Sequence, residues 1–489
     1  MSYVGLDIGT TSIRALAFAE DGSVLATSSR LLPIDYPAPN RVEQDPSVIA
    51  QCSVEALEDI ARQIDGMPRA IGIANQRETV IAWEKHTLLP LSMAISWQDR
   101  RGAARCSELK KMEVQGLVKE ITGLPLDPYF SATKYAQIVS DLAAIPSKKI
   151  ALGTVDSWLI ANLTSNENPL TDLTNASRTS LLNITSNKYE DELGALFEVP
   201  IDLLPAPLPS DAMFGEICHP DLESWRGTPI HAVLGDQQAS LFAQGCIDRG
   251  DTKATLGTGT FILTNTGDRT LGPYPALIDS IAWNLSGIGN TYCLEGSIFS
   301  THSTLQWLID VLGIASNIEE LDALAKSVRT SEQVTLLPFF SGSGSPWWEE
   351  GSGAVLAGLD TSSSKGQIAK AGFESVALQI ASVIIELQTA LGNRIELLRL
   401  DGGLSHIDSL CQLIADQTNL ESQTAFFAES TAFGAAMMSA VGLGDMTPEN
   451  VRDLYTSRNI FVPAKGRMGA KSREKRWNLY LEKLGLLRE

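Results

Sequence analysis

The sequence is poor in the features that mark secreted, metal-knit or membrane-bound chains. Its six cysteines, Cys52, Cys106, Cys218, Cys246, Cys293 and Cys411, include no C-x-x-C pair, which argues against a disulfide framework and against a zinc site. Met1-Ser2-Tyr3 runs straight into a strand pattern without the basic start and apolar core of a signal peptide, so a cytoplasmic location is expected. The most apolar helical stretch, Ser375 to Ile385, is bounded by Glu374 and Glu386 and reads as too short to span a bilayer. Basic residues are scarce: 38 Lys and Arg against 58 Asp and Glu leave a net charge of −20. Such a surface repels nucleic acid and anionic membranes at long range. A GxxxxGK(S/T) loop and the protein-kinase motif set are both missing, which excludes those two nucleotide-binding solutions.

What is present is a long chain of ordinary globular composition. With 489 residues, 44% hydrophobic and 20% charged, it exceeds a single core and is expected to form roughly two or three domains. Tyr3 to Asp7 and Ser12 to Ala19 read as strands around a Gly9-Thr10-Thr11 turn, with Asp21-Gly22 as the next hairpin turn. A related hairpin recurs at Thr252 to Leu263 around Gly257-Thr258-Gly259. Further strands at Ala70 to Ala74, Ile230 to Leu234 and Leu397 to Leu400 alternate with helices at Pro46 to Gln63, Ile368 to Leu391 and Ser409 to Gln417, an α/β pattern. The proline-rich run Val199 to Pro209 is expected to be a loop, and the domain boundary is placed at Gln244-Gly245, giving units 1–244 and 245–489. The basic stretch Lys465 to Arg488, with Trp477, Leu479, Leu481 and Leu484 interleaved, reads as an amphipathic helix docking on the body.

Chemistry concentrates at the turns. Gly9-Thr10-Thr11-Ser12 offers backbone N–H groups and hydroxyls to phosphate oxygens, and Asp7 before it suits a hydrated Mg²⁺. Taken singly, such a turn is equally a plain hairpin. A second one at Gly257-Thr258-Gly259-Thr260 suggests two turns gripping a nucleotide tail from both sides of a cleft. Asp401-Gly402-Gly403 would let backbone approach a nucleotide, or is simply a strand-to-helix turn. Asp236, after the strand Ile230 to Leu234, reads from local pattern alone as an N-cap for a helix starting at Gln237.

These residues carry a resemblance. GLDIGTTSIR, Asn75-Gln76-Arg77-Glu78-Thr79, Trp97-Gln98-Asp99-Arg100-Arg101, Asp127-Pro128-Tyr129-Phe130, Thr171 to Thr179, Gly235-Asp236-Gln237-Gln238, Leu256 to Phe261, Leu294-Glu295-Gly296-Ser297 and Asp401-Gly402-Gly403, in that order, resemble the FGGY carbohydrate kinases over nearly the whole chain, and within them the glycerol-phosphorylating members. The resemblance implies two actin-like, ribonuclease H-like ATPase domains flanking a catalytic cleft, with ATP, Mg²⁺ and glycerol as ligands and a homodimer or larger homo-oligomer. It implies Asp236 as catalytic base. It further implies Arg77, Glu78, Trp97, Tyr129, Asp236, Gln237 and Phe261 around the polyol. Thr10, Thr11, Ser12, Arg14, Thr258, Gln306, Gly402 and Gly403 are implied on the nucleotide, and Asp7 and Asp236 beside the metal.

The sequence departs from the family pattern in four places, one of them the segment Ser341 to Trp348, which replaces the usual glycine-alanine-proline-tyrosine-tryptophan wording with a related one. His302 stands where the family has a phosphate-approaching glycine, and Ile407 where it has an asparagine at the adenosine. Ile407 is expected to pack on a purine without hydrogen-bonding it. Gly227 stands where members inhibited by fructose 1,6-bisphosphate carry an arginine, so that inhibition is expected to be absent or weak. Two alternatives remain open from sequence: a kinase for another small polyol or sugar, and a catalytically silent paralogue that senses ligand and binds a partner.

Overall fold

A computed structural model describes residues 1–166, 168–340, 342–349, 353–392, 394–425, 429–465 and 468–486. Two mixed sheets organise it. The first runs in the order Gly215–Glu216, Pro229–Gly235, Ala70–Asn75, Ser2–Ile8, Ser12–Ala19, Val24–Leu31. The second runs Ile278–Leu285, Gly289–Ile298, Thr260–Gly267, Thr252–Leu256, Leu397–Asp401, Glu421–Ala425, Ser457–Phe461. Each contains the same unit. Ser2–Ile8 pairs antiparallel with Ser12–Ala19 and parallel with Ala70–Asn75, as Thr252–Leu256 pairs antiparallel with Thr260–Gly267 and parallel with Leu397–Asp401.

Local sequence accounts for the elements that cover these sheets. Pro46–Gln63 begins where Asp45 caps the helix by accepting from Ser47 N at 2.8 Å and Pro46 occupies the first turn, the position where a missing N–H costs nothing. Its Ile49, Leu57 and Ile60 recur at helical spacing and bury against Val4, Leu6, Ile71 and Ile73. Each such side chain contributes at most roughly 1.5–3 kcal/mol. Every residue of Ala70–Asn75 is buried, as expected for a parallel strand covered on both faces.

Helices Asp236–Ala243 and Ser430–Gly442 pack on one another and against the first sheet. The second of these comes from the far end of the chain, yet lies on Ser2–Ile8 and Ala70–Asn75. Glycine permits that approach: a Cβ at Gly5 would sit 1.9 Å from Ala432 O, and one at Gly72 equally close to Ala435 O. The two halves of the sequence therefore share a core, in which Phe18 and Leu234 meet Trp283, Phe433 and Met437.

Two expectations change, and a third, the docked C-terminal helix, holds. The apolar helix runs Lys365–Leu391, 27 residues, opened by a Ser364/Gln367 capping box and closed by Gly392. By length and composition it is long enough to cross a membrane, contrary to the sequence reading; 78% of its most apolar window is buried within the protein, so it serves as a core helix. The proline-rich run is more than a loop, since Ala206–Leu208 pairs in parallel with Leu170–Asp172; in a two-stranded pair both strands are edges, where proline is tolerated. The C-terminal helix is Met468–Lys483, with Trp477 and Leu481 buried against Leu337, Phe339, Trp347 and Leu378. Residues 466–467 and 487–488 of the expected stretch lie outside the described residues. All six cysteines are free, four of them buried.

Candidate active site

The parallel strands aim the chemistry at one place. Pro229–Gly235, Ala70–Asn75 and Ser2–Ile8 are parallel neighbours, so Asp236, the Gln76-Arg77-Glu78 turn and the Gly9 to Ser12 turn all leave the carboxyl ends of adjacent strands, the usual ligand edge of such sheets. The second sheet does the same with Gly257 after Thr252–Leu256 and Gly402 after Leu397–Asp401.

Arg77 is the hub. Its Nε lies 3.3 Å from Asp236 Oδ1, its Nη1 donates to Glu295 Oε2 at 2.6 Å and to Gln238 Oε1 at 3.3 Å, and its Nη2 donates to Tyr129 OH at 3.4 Å. The side chain is 2% exposed. Burial pulls such a guanidinium toward neutrality, but Glu295, Tyr129, Glu78 and Asp236 hold its pKa well above the ordinary value. Glu78 sits at φ +62°, a left-handed conformation that costs a residue with a Cβ of order 1–3 kcal/mol. The turn directs its carboxylate to Arg178 Nε at 2.5 Å. Burial raises the Glu78 pKa while Arg178 and Arg77 oppose.

Asp236 is not the N-cap that its local pattern suggested. Gly235 caps the helix with no side-chain bond, Asp236 is the first helical residue, and its Oδ1 accepts from Gln237 N at 2.7 Å. The carboxylate keeps an accessible edge, at 27% exposure, as an acid that must meet substrate requires. Asp7 faces the same space. Burial, and then the neighbouring charge of Asp236, push its carboxyl up to about 8 against the pull of Arg14. Among the described residues no group of three His, Cys, Asp or Glu side chains forms a metal cage. Two neighbouring carboxylates of this kind fit a hydrated divalent cation completed by phosphate oxygens.

An aromatic wall stands beside this charge cluster. Trp97 meets Tyr129 edge-on at 5.8 Å and Phe261 at 6.2 Å, and Arg77 stacks over Phe261 at 5.8 Å. Trp97 Nε1 donates to Thr10 Oγ1 at 2.9 Å, joining the wall to the first hairpin turn. Thr11 there is exposed and Ser12 half-buried. Arg14, opposite Asp7 in register, is held by Glu429 at 2.5 Å.

The second turn is organised differently. Thr258 is exposed, and its carbonyl accepts from Thr301 N at 3.0 Å and Ser303 N at 3.4 Å, while Gly257 O accepts from His302 N at 3.2 Å. His302 is thus the first residue of the helix His302–Asp310, half-buried beside the turn. Gln306 in the same helix donates to Asp310 at 2.9 Å. Gly402 takes φ +84°, and a Cβ there would lie 2.7 Å from Leu256 O; a Cβ at Gly403 would meet nothing within 4 Å. Ile407 is 6% exposed and packs in the core with Leu404, Leu410 and Cys411, so its side chain is not offered to a purine. His406 and Asp408 flank it at the surface.

Three partners of the site, Glu295, Arg178 and Lys253, carried no role in the sequence reading. Glu295 joins Arg77 to Arg178, whose Nη2 reaches Glu295 Oε1 at 3.1 Å. Burial raises the Glu295 carboxyl, but the guanidiniums of Arg178 and Arg77 prevail and bring it down to about 2. Lys253 and Asp401, buried on neighbouring strands of the second sheet, form a second polar group joined through Thr255. A usable signal existed: Glu295 and Lys253 are the only charged residues of their strands, and charges enter buried strands chiefly when paired.

The comparisons agree on one relationship. Residues 2–243 match the N-terminal domain of the FGGY family of carbohydrate kinases and residues 252–443 its C-terminal domain. A glycerol kinase of Citrifermentans bemidjiense is 38% identical over 487 residues, covering 98% of this chain and 97% of its own. One of Paraburkholderia phytofirmans is 40% identical over 448 residues, covering 90% and 89%. The crystal structure of Plasmodium falciparum glycerol kinase with ADP superposes with a TM-score of 0.92 at 26% identity, covering 100% of this chain and 99% of that one. A gluconate kinase from Lactobacillus acidophilus shares the fold, with a TM-score of 0.89 at 20% identity.

Proposed function

The chain belongs to the FGGY family of carbohydrate kinases, and from that premise we propose that it transfers the γ-phosphate of ATP to glycerol, giving sn-glycerol 3-phosphate and ADP. The observation that carries this reading is the pairing of Asp236 with Arg77, 3.3 Å apart, beside the ring cluster of Trp97, Tyr129 and Phe261. A short polyol needs such a place, because each hydroxyl both donates and accepts while its carbon edge is apolar. Arg77 donates, Glu78 and Asp236 accept, Gln237 does both, and the rings exclude water.

In this reading Asp236 takes the proton of the terminal hydroxyl as its oxygen bonds to the γ-phosphorus in line with the departing ADP oxygen. Thr10, Thr11, Ser12 and Arg14 on one side and Thr258, Gln306, Gly402 and Gly403 on the other hold the nucleotide, so that most of the rate comes from positioning and charge stabilisation. Mg²⁺ held through Asp7 and Asp236 would neutralise phosphate charge. The functional boundary falls at 244/245, with the polyol, the first turn and Asp236 in the first unit and the nucleotide mainly in the second. The enzyme works in the cytoplasm as a homo-oligomer.

The test is ADP release measured across glycerol, erythritol, other polyols and sugars. Glycerol should lead, and Asp236→Asn should abolish turnover while leaving glycerol binding measurable. A stronger response to another acceptor would reassign the substrate, and turnover persisting in Asp236→Asn would remove the base.

A further inference from the structure

Lys253 is wholly buried on the strand Thr252–Leu256, and the transfer reaction described above leaves it without a task. A buried ammonium is costly unless it is bonded. Burial lowers its pKa, with Asp401 and then Asp236 opposing. Its Nζ donates to Gln237 Oε1 at 2.6 Å and to Thr255 Oγ1 at 2.7 Å. Thr255 in turn donates to Asp401 Oδ1 at 2.5 Å, and the other oxygen of Asp401 accepts from Ser240 Oγ at 2.7 Å.

This chain has two ends with different duties. Gln237 donates through Nε2 to Asp236 Oδ2 at 3.4 Å, on the side assigned above to the acceptor; Asp401 immediately precedes Gly402 and Gly403, assigned to the nucleotide. Ser240 brings the path back to the helix that Asp236 opens. The order of donors is fixed as well. An ammonium only donates and a carboxylate only accepts, so the Thr255 hydroxyl, receiving from Lys253, has its proton committed to Asp401. A shift of Gln237 upon acceptor binding cannot be absorbed by reversing the bonds, and it reaches the Gly402 turn.

We infer that Lys253 is a positioning residue that couples the two substrate sites: through Gln237 on one side and Thr255 and Asp401 on the other, it makes acceptor and nucleotide each bind more tightly in the presence of the other. The inference rests on the proposed function. Coupling between binding sites is reciprocal, and its usual size is on the order of 5- to 150-fold.

Calorimetric titration of the full chain with glycerol, with and without saturating ADP and Mg²⁺, reads it directly. The wild type should bind glycerol at least about fivefold more tightly with ADP present, and Lys253→Met and Thr255→Val should bring that ratio to near one. Melting temperatures separate this from lost folding; if Lys253→Met does not fold, Thr255→Val alone decides. A wild-type ratio of one, or a folded variant that keeps the wild-type ratio, overturns the inference. A wild type that binds ADP but no glycerol removes the substrate reading instead, and the ratio is then read with the polyol that leads the ADP-release series. If no polyol binds, both readings fall.

Discussion

Arg77 and Glu295, 218 positions apart in sequence, meet at 2.6 Å with both side chains almost completely out of water. Glu295 also accepts from Arg178, so one carboxylate compensates two buried guanidiniums. Removing it leaves Arg178 to Glu78 and Arg77 to Asp236, a weaker compensation of two buried charges that costs up to roughly 3–5 kcal/mol. Glu295→Gln should therefore lower stability by up to about that amount at pH 7 in urea unfolding, and raise the glycerol KM by releasing Arg77. The pH dependence has a definite sign. Because the folded-state pKa is depressed from 4.5 to about 2, the contribution is present above about 4.5 and lost as pH falls through about 2. The gap between wild type and variant should close over that acid range. A gap independent of pH would contradict the assignment.

Arg14, which the proposed function assigns to the nucleotide, is held by Glu429, both side chains being partly exposed. A pair this open is worth no more than about 1 kcal/mol, which ATP phosphates can outcompete. Glu429→Gln should leave stability nearly unchanged and lower the ATP KM, since Arg14 is freed and a repelling charge removed. Arg14→Ala should raise the ATP KM by roughly tenfold or more, the scale of a charge-assisted hydrogen bond. Steady-state kinetics at saturating glycerol distinguishes the two; an ATP KM that rises in Glu429→Gln would show that the carboxylate helps the nucleotide.

How much of this was legible depends on the range of the interactions. Ser12–Ala19 and Pro46–Gln63 were readable to the residue, because β-alternation and an Asp45-Pro46 start are local signals. The start of the long helix was missed by three residues although Ser364 and Gln367 form its capping box; attention to capping rather than hydropathy would have found it. Asp236 illustrates the opposite case, since its local pattern indicated a cap and the fold uses Gly235 for that. Arg178, Glu295 and Lys253 were invisible as site partners because their meaning comes from contacts more than a hundred positions away for Glu295 and from burial for all three. A charged residue in a strand does not announce its partner.

At the position where fructose 1,6-bisphosphate-sensitive family members carry arginine, Gly227 stands at φ +85° with open space where a side chain would begin. The adjacent Arg226 pairs with Glu223 at 2.8 Å on the surface. Gly227 offers no side chain to a phosphate, and Arg226, whose open surface pair a phosphate can break, substitutes only in part for a poised arginine. Titrating fructose 1,6-bisphosphate to millimolar levels should inhibit weakly or not at all; ordinary inhibition would mean that Arg226 or another cation serves in full.

Gly402 and Gly403 are neighbours with opposite constraints, which separates folding from binding in one pair of variants. Gly402 has a left-handed backbone, and a methyl group would fall 2.7 Å from the carbonyl of Leu256, at the base of the second hairpin. Gly402→Ala must shift that strand end as well as strain its own dihedrals, so it should lower the melting temperature and weaken nucleotide binding together. Gly403 is exposed, has no positive φ, and has room for a methyl group. Gly403→Ala should melt like the wild type. If the turn approaches the nucleotide through its backbone, that added methyl group occupies space only the nucleotide needs, and ADP affinity should fall at least several-fold with glycerol binding in the absence of ADP unaffected. Unchanged ADP affinity in Gly403→Ala would place the nucleotide away from this turn.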